Sequence, residues 1–410
     1  MKIPSISSLN FSKTSFKNQT PPIIEAQNND ELRLYTIPVE KTIFSDIESS
    51  IYDVVEKYCK NALPFNFATL NRIFKKETKT TPIEGMYNII NSSIEKFEKQ
   101  NGALDRKYLK ENMLVCAKNK CYESKKEEKL SKKPNIKTEI YEAFMFAILK
   151  SLVDEDDSFE NKLNLFKREL LDYGNNNDVL SLAYLKKLIQ VFAPDVEVKK
   201  QNIFKRSFKN VSGTANVLCF YEIKDGKVQF KPLKKSFEFQ PDLEKEPMLR
   251  SITHEMTHIL QYTTLDKSYF GIIEKLANEN LDDLDSLMAG ENVFYEIEDV
   301  LFSLQISDYR DKIIDLAKQD GDEVYIDETF KKQVSNALTV ILDDYTEDMP
   351  NFNRKAALTI ARAKTLDEIE AYKNEFSFDL STLSKEEYLE LKTIIKTFEI
   401  LLEIINSKLA

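Results

Sequence analysis

Residues 247–262 read Pro247-Met-Leu-Arg-Ser-Ile-Thr-His254-Glu255-Met-Thr-His258-Ile-Leu-Gln261-Tyr262. At about 100° per residue, Met248, Leu249, Ile252, Met256, Ile259 and Leu260 fall into one apolar stripe. Pro247 belongs in the first turn, where its missing N–H costs little, so the helix starts within 242–247. His254 and His258 are the only two histidines in 410 residues. Four positions apart on a helix, they share a face, roughly opposite the stripe. The pattern predicts a helix that buries one side and turns both imidazoles to a cleft, where they can reach one metal ion.

Working outward, the segment just upstream changes texture. Val196–Phe208 is short, mixed and β-tolerant. Ala215–Ile223 alternates like a strand, Asp225-Gly226 is a hairpin turn signal, and Val228–Lys231 is the return strand. Elsewhere helical periodicity dominates, over 44–60, 81–100, 104–117, 136–153, 158–173 and 178–192 before the hairpin. After the histidine helix it resumes over 268–280, 281–306, 328–346, 352–363, 366–376 and 384–408. Asp327 or Glu328 and Ser384 mark helix starts, Ser384 with Glu387 at capping-box spacing. The charged run Lys118–Lys137 is expected to be a loop, and Lys125–Lys133 within it a solvated linker. The fold class is therefore α+β, predominantly helical. Its expected organisation is a tail over 1–38, a helical region over 39–192, a core over 193–320 and a C-terminal helical region over 321–410.

Composition narrows the function classes. The chain has 8 Gly and no Trp, and 42% of its residues are hydrophobic, the balance of a globular, helix-rich protein. A net charge of −10, from 58 basic and 68 acidic residues, argues against nucleic acid or an anionic membrane as the main partner. No apolar run is long enough to span a bilayer. No signal-peptide core follows Met1, so the expectation is a cytoplasmic protein or one exported through an uncleaved N-terminal segment. The first 24 residues lack Asp and Glu, in the manner of a disordered tail or a targeting leader. The four cysteines lack CxxC spacing, which leaves mostly free thiols and a single conceivable Cys116–Cys121 bridge.

His254-Glu255-Met256-Thr257-His258 resembles the HExxH of zinc peptidases of the zincin type, and His258-Ile259-Leu260-Gln261 is similar to an H-x-x-Q continuation common in gluzincin-like proteins. The resemblance implies a zinc ion (Zn2+) held by His254 and His258, with Glu255 as general base for hydrolysis of a protein or peptide substrate. It also implies a small antiparallel sheet before the helix, whose edge strand pairs with substrate. With no third histidine, the remaining ligand is a carboxylate or, less naturally, a cysteine. Three carboxylates compete. Glu296, in Tyr295-Glu296-Ile297-Glu298-Asp299, resembles a gluzincin third-ligand segment, with Asp299 where those families carry Ala. Glu279, in Asn278-Glu279-Asn280-Leu281-Asp282-Asp283, is similar to the thermolysin-like segment. Asp266, with Thr264 and Tyr269, resembles that of the aspartate-ligand zincins. Tyr262, Tyr295, Tyr309 and Arg310 are candidates for stabilising an oxyanion. The competing class is a non-catalytic helical binding or scaffold protein in which HExxH is vestigial or structural.

Overall fold

The structure, a computed structural model, describes residues 38–59, 81–132, 136–177, 180–200, 213–239, 245–263, 269–304 and 324–410. The N-terminal helices are α1 (Pro38–Cys59), α2 (Pro82–Asn101), α3 (Arg106–Ser131), α4 (Ile136–Glu155), α5 (Phe159–Asn176) and α6 (Leu182–Phe192). Local chemistry explains their boundaries. Thr81 and Glu84 form a reciprocal capping box at the start of α2, with Pro82 inside the first turn. Asp105 caps α3 by accepting from the Tyr108 amide. The expected loop over Lys118–Lys137 is instead mostly helix, because α3 continues to Ser131. Leu109, Met113, Ala117, Cys121 and Ser124 are buried at helical spacing along it, and the charged residues are partly or fully exposed except Lys110, which is buried and paired with Glu155. One stripe packed against α4 outweighs the density of charge.

Strands β1 (Val196–Lys200), β2 (Gly213–Lys224) and β3 (Lys227–Phe239) form a sheet in the order β1-β3-β2. The expected antiparallel sheet is mixed: β2 pairs with β3 antiparallel, whereas β1 pairs with β3 in parallel. Asp225 and Gly226 turn the hairpin with φ of 52° and 72°. Positive φ at both positions is what a two-residue loop matched to strand twist requires. A register shift falls at Leu218/Cys219.

The chain continues through α7 (Lys245–Thr263), α8 (Tyr269–Glu279), α9 (Leu284–Leu304), α10 (Glu328–Asp348), α11 (Arg354–Phe376) and α12 (Lys385–Leu409). Asp327 caps α10, and Ser384 with Glu387 closes a capping box on α12, as their spacing predicts. The two helices expected over 352–363 and 366–376 are one, α11. Among the described residues, no helix is long and apolar enough to cross a membrane.

These elements bury α7. Its residues Met248–Gln261 are all buried, with α5, α11, β2 and β3 packed around it. Met248, Leu249, Ile252, Met256, Ile259 and Leu260 join the core built by the N-terminal helices. A second core unites α9, α10, α11 and α12, so α11 belongs to that bundle and also packs on α7. α9 and α11 approach closely at Gly290, where an added Cβ would lie 2.5 Å from the Ala357 carbonyl oxygen.

Candidate metal centre

His254 and His258 stand one turn apart on one face, as their spacing predicts, with Nε2 atoms 3.2 Å from each other, but both are buried instead of turned to a cleft. The third donor comes from α11. Glu368 Oε1 lies 3.3 Å from His258 Nε2, and Glu368 Oε2 lies 3.6 Å from His254 Nε2. Two zinc bonds of about 2.05 Å meeting at the tetrahedral angle hold their donors about 3.3 Å apart. The two imidazole nitrogens therefore stand near the separation of two corners of a tetrahedron, and the Glu368 carboxylate spans them with one oxygen toward each ring. Of the described residues, this is the His/Cys/Asp/Glu group whose ligand atoms converge closely enough for one ion.

The hydrogen bonds behind the rings fix which nitrogens face inward. Gln261 Nε2 donates to the Asp367 carbonyl at 3.2 Å and to Glu370 Oε2 at 3.0 Å, two groups that only accept. Its Oε1 must then face His258 Nδ1, 2.9 Å away, and Nδ1 must carry the proton. On His254, Nδ1 lies 3.1 Å from Glu375 Oε2, close but without good hydrogen-bond alignment. A carboxylate there again selects the Nδ1–H tautomer. In the neutral rings both Nε2 lone pairs therefore point at each other and at the Glu368 carboxylate. Three electron pairs converging in a buried site repel unless a proton or a cation sits between them. The donor set fits a small divalent ion such as zinc, and the partners of the two Nδ1 atoms are those that orient metal-binding histidines.

Burial works against charge on both histidines, yet the surrounding carboxylates prevail. Glu368 and Glu375 hold His254 well above its ordinary value, and Glu368 does the same for His258. Burial would likewise raise Glu368, but the two histidines hold it far below the usual carboxylate range. Burial raises Glu255 despite the opposing charges of His254 and His258 and the Ala215 amide. That amide, on β2, donates to Glu255 Oε2 at 2.5 Å. The carboxylate beside the first histidine thus points at the outer edge of the sheet.

Two of the three sequence candidates for third ligand lie elsewhere. Glu296 is exposed on α9 and accepts from the Tyr345 hydroxyl at 2.8 Å, so it is not brought to the histidines. Its neighbour Glu298 is nearer: burial and the Glu368 carboxylate both raise it, and His258 opposes them. Glu279 is exposed at the end of α8, also away from the pair. Asp266 lies outside the described residues, as do Tyr309 and Arg310. Tyr262 packs its ring against Tyr269, Phe270 and His258. The Tyr295 hydroxyl accepts from Lys364 and donates to Glu291.

Sequence reasoning missed Glu368, Tyr372 and Glu375. At i, i+4 and i+7 they share one face of α11. Glu368 and Glu375 approach opposite nitrogens of His254, and the Tyr372 ring packs edge-on against that imidazole, 4.4 Å between centroids. This spacing was the available signal, and it is uninformative without knowing that α11 lies on α7.

No family profile matches the chain, and neither a curated protein nor a solved structure is significantly similar to it.

Proposed function

We propose that the chain is a zinc-dependent peptidase in which His254, His258 and Glu368 hold the metal and Glu255 moves the proton. One observation carries this reading: one ligand atom from each of His254, His258 and Glu368, on two helices, lies within 4.8 Å of the others, beside a buried carboxylate that accepts from the outer edge of β2. A bound zinc ion would supply Lewis acidity and activate a water molecule toward attack. Glu255 accepts the proton from the attacking water and returns it to the departing amine, the exchange suited to a carboxyl raised by burial. Glu375 and Gln261 keep both imidazoles oriented with Nε2 inward. The Ala215 amide, which closes on Glu255 here, becomes available to an extended substrate chain when Glu255 turns to the water. The Tyr372 ring packs edge-on against His254, and this tyrosine is our candidate for steadying an oxyanion.

The test is Glu255→Gln. The variant is expected to retain fold and zinc while losing hydrolysis of a peptide library by at least about a hundredfold. Full hydrolysis in that variant would remove Glu255 from the mechanism. A second reading, a helical binding protein with a structural HExxH, is favoured by the burial of Met248–Gln261 on all sides. It predicts that purified protein contains no zinc and that His254→Ala changes stability alone.

A further inference from the structure

The outer edge of β2 continues past the candidate centre, and its composition is unusual for an exposed strand. The Ala215 amide points away from β3 toward Glu255, so the amides of Val217, Cys219, Tyr221 and Ile223 share that outward direction. Among the described residues, no strand pairs with this edge. Natural sheets blunt such edges with Lys, Pro or charged side chains. Between Gly213 and Ile223, β2 has no Pro, no Lys and a single charge, Glu222, which is paired with Lys231.

The side chains are apolar on both faces. Val217 and Cys219 pack toward the small core that contains Val228 and Phe230. Leu218 and Phe220 project from the opposite face, 57% and 44% exposed, and Ile223 further along is 58% exposed. A sheet face turned to water ordinarily alternates to polar residues, whereas a strand covered on both faces reads as a continuous apolar run. Val217-Leu218-Cys219-Phe220-Tyr221 has the second composition in the first position.

We infer that this stretch is a recognition arm for the substrate, selecting an extended segment with consecutive apolar side chains. The inference rests on the peptidase reading, which it deepens by naming the substrate class. A chain paired to the edge at Ala215 would meet Leu218–Ile223 three to eight residues further on, about 10–26 Å at strand rise. Its alternate side chains would fall beside Leu218 and Phe220 on one face and beside Val217 and Cys219 on the other. Sequences that are apolar on both faces are buried in folded proteins, so the favoured substrates are unfolded or loosely held segments. A lipid surface fits less well: Lys224-Asp225-Gly226-Lys227 places polar, exposed residues at the hairpin tip, where insertion would need apolar ones.

The experiment uses the full chain carrying Glu255→Gln and loaded with zinc, so that binding is read without cleavage. The probes are a fluorescein-labelled peptide with a central run of Val, Ile and Phe between lysine-rich ends, and a twin with Ser and Thr in that run. Anisotropy is expected to favour the apolar peptide, and Leu218→Thr with Phe220→Thr to weaken its binding about tenfold while leaving the melting temperature unchanged. Equal affinity for both peptides, or no loss in the double variant, overturns the inference. So does a concentration-dependent dimer abolished by the same substitutions without peptide binding, or binding confined to phosphatidylserine vesicles. Selective binding by the Glu255→Gln chain, combined with no cleavage of that peptide by the zinc-loaded wild type, leaves the arm standing and removes the peptidase reading instead.

Discussion

Gln261 donates its side-chain amide to the backbone carbonyl of Asp367, the residue immediately before Glu368. The same side chain accepts from His258 through Oε1. One residue therefore sets the tilt of an imidazole and the height of the helix that brings the carboxylate to it. Gln261→Ala is expected to weaken zinc binding by about 10–100-fold, the usual cost of losing a partner that orients a ligand. Competition against a chromogenic chelator measures this. Unchanged affinity would show that His258 is oriented by packing alone.

Glu368 and Glu296 make opposite predictions. Glu368→Gln keeps the volume and removes the charge, so zinc retained after dialysis should fall well below one per chain. Glu296→Gln removes only a carboxylate on the far side of α9 that accepts from Tyr345, and zinc content should stay that of the wild type. Elemental analysis of the two purified variants reads the difference directly. Zinc lost in Glu296→Gln and kept in Glu368→Gln would restore the ligand expected from sequence.

The histidine helix was legible because its information is local: two imidazoles at i and i+4, an apolar stripe, and a hairpin with an Asp-Gly turn. The third arm of the site was not, for reasons visible at Lys364 and Thr365. A lysine and a threonine in sequence look like a break between two helices. Lys364 is 3% exposed, its charge satisfied by Glu291 at 3.2 Å, the Tyr295 hydroxyl at 3.1 Å and the Tyr269 ring at 4.0 Å. Burial opposes its charge, but Tyr262 of α7 together with Tyr269, Tyr295 and Glu291 of α8 and α9 holds its pKa well above the ordinary value. Thr365 returns its hydroxyl to the Ala361 carbonyl, so the helix runs on to Glu368. A buried cation with partners far away in sequence cannot be told from a helix-ending surface charge by periodicity. Glu296 illustrates the converse: its segment resembles a third-ligand motif, yet its side chain is exposed and bonded to Tyr345 of α10.

Acidity should govern the centre with a definite sign. In the metal-free chain His254 and His258 have raised values, so their stabilising contribution is full below the unfolded histidine value of about 6.5. It is lost as pH rises through their folded values. Glu368 is depressed, so its contribution is present above the unfolded glutamate value of about 4.3 and lost as pH falls through its folded one. Zinc requires neutral imidazoles, so binding must expel protons and weaken toward acid. Calorimetric titration at about pH 7 in two buffers of different ionisation enthalpy should show net proton release, with affinity falling about tenfold per pH unit for each proton expelled. Affinity that is flat between about pH 6 and 8 is incompatible with His254 and His258 as ligands.

Gly290 and Gly174 separate the packing that builds the site from the packing that merely surrounds it. A Cβ at Gly290 would meet the Ala357 carbonyl at 2.5 Å and Ile360 Cβ at 2.9 Å. The first is backbone, so α9 and α11 must move apart, at about 1–3 kcal/mol. At Gly174 the contact is the Leu249 Cδ1 methyl at 2.6 Å, the far end of a side chain that can rotate away. Gly290→Ala is therefore expected to lower thermal stability more than Gly174→Ala, and also to weaken zinc binding, because α11 carries Glu368 and Glu375. Gly174→Ala should leave zinc affinity alone, since Leu249 lies on the stripe of α7 that faces the N-terminal helices. Differential scanning calorimetry with and without zinc measures both effects. Equal losses of stability, with zinc binding intact in each variant, would mean that the α9–α11 contact does not position the third ligand.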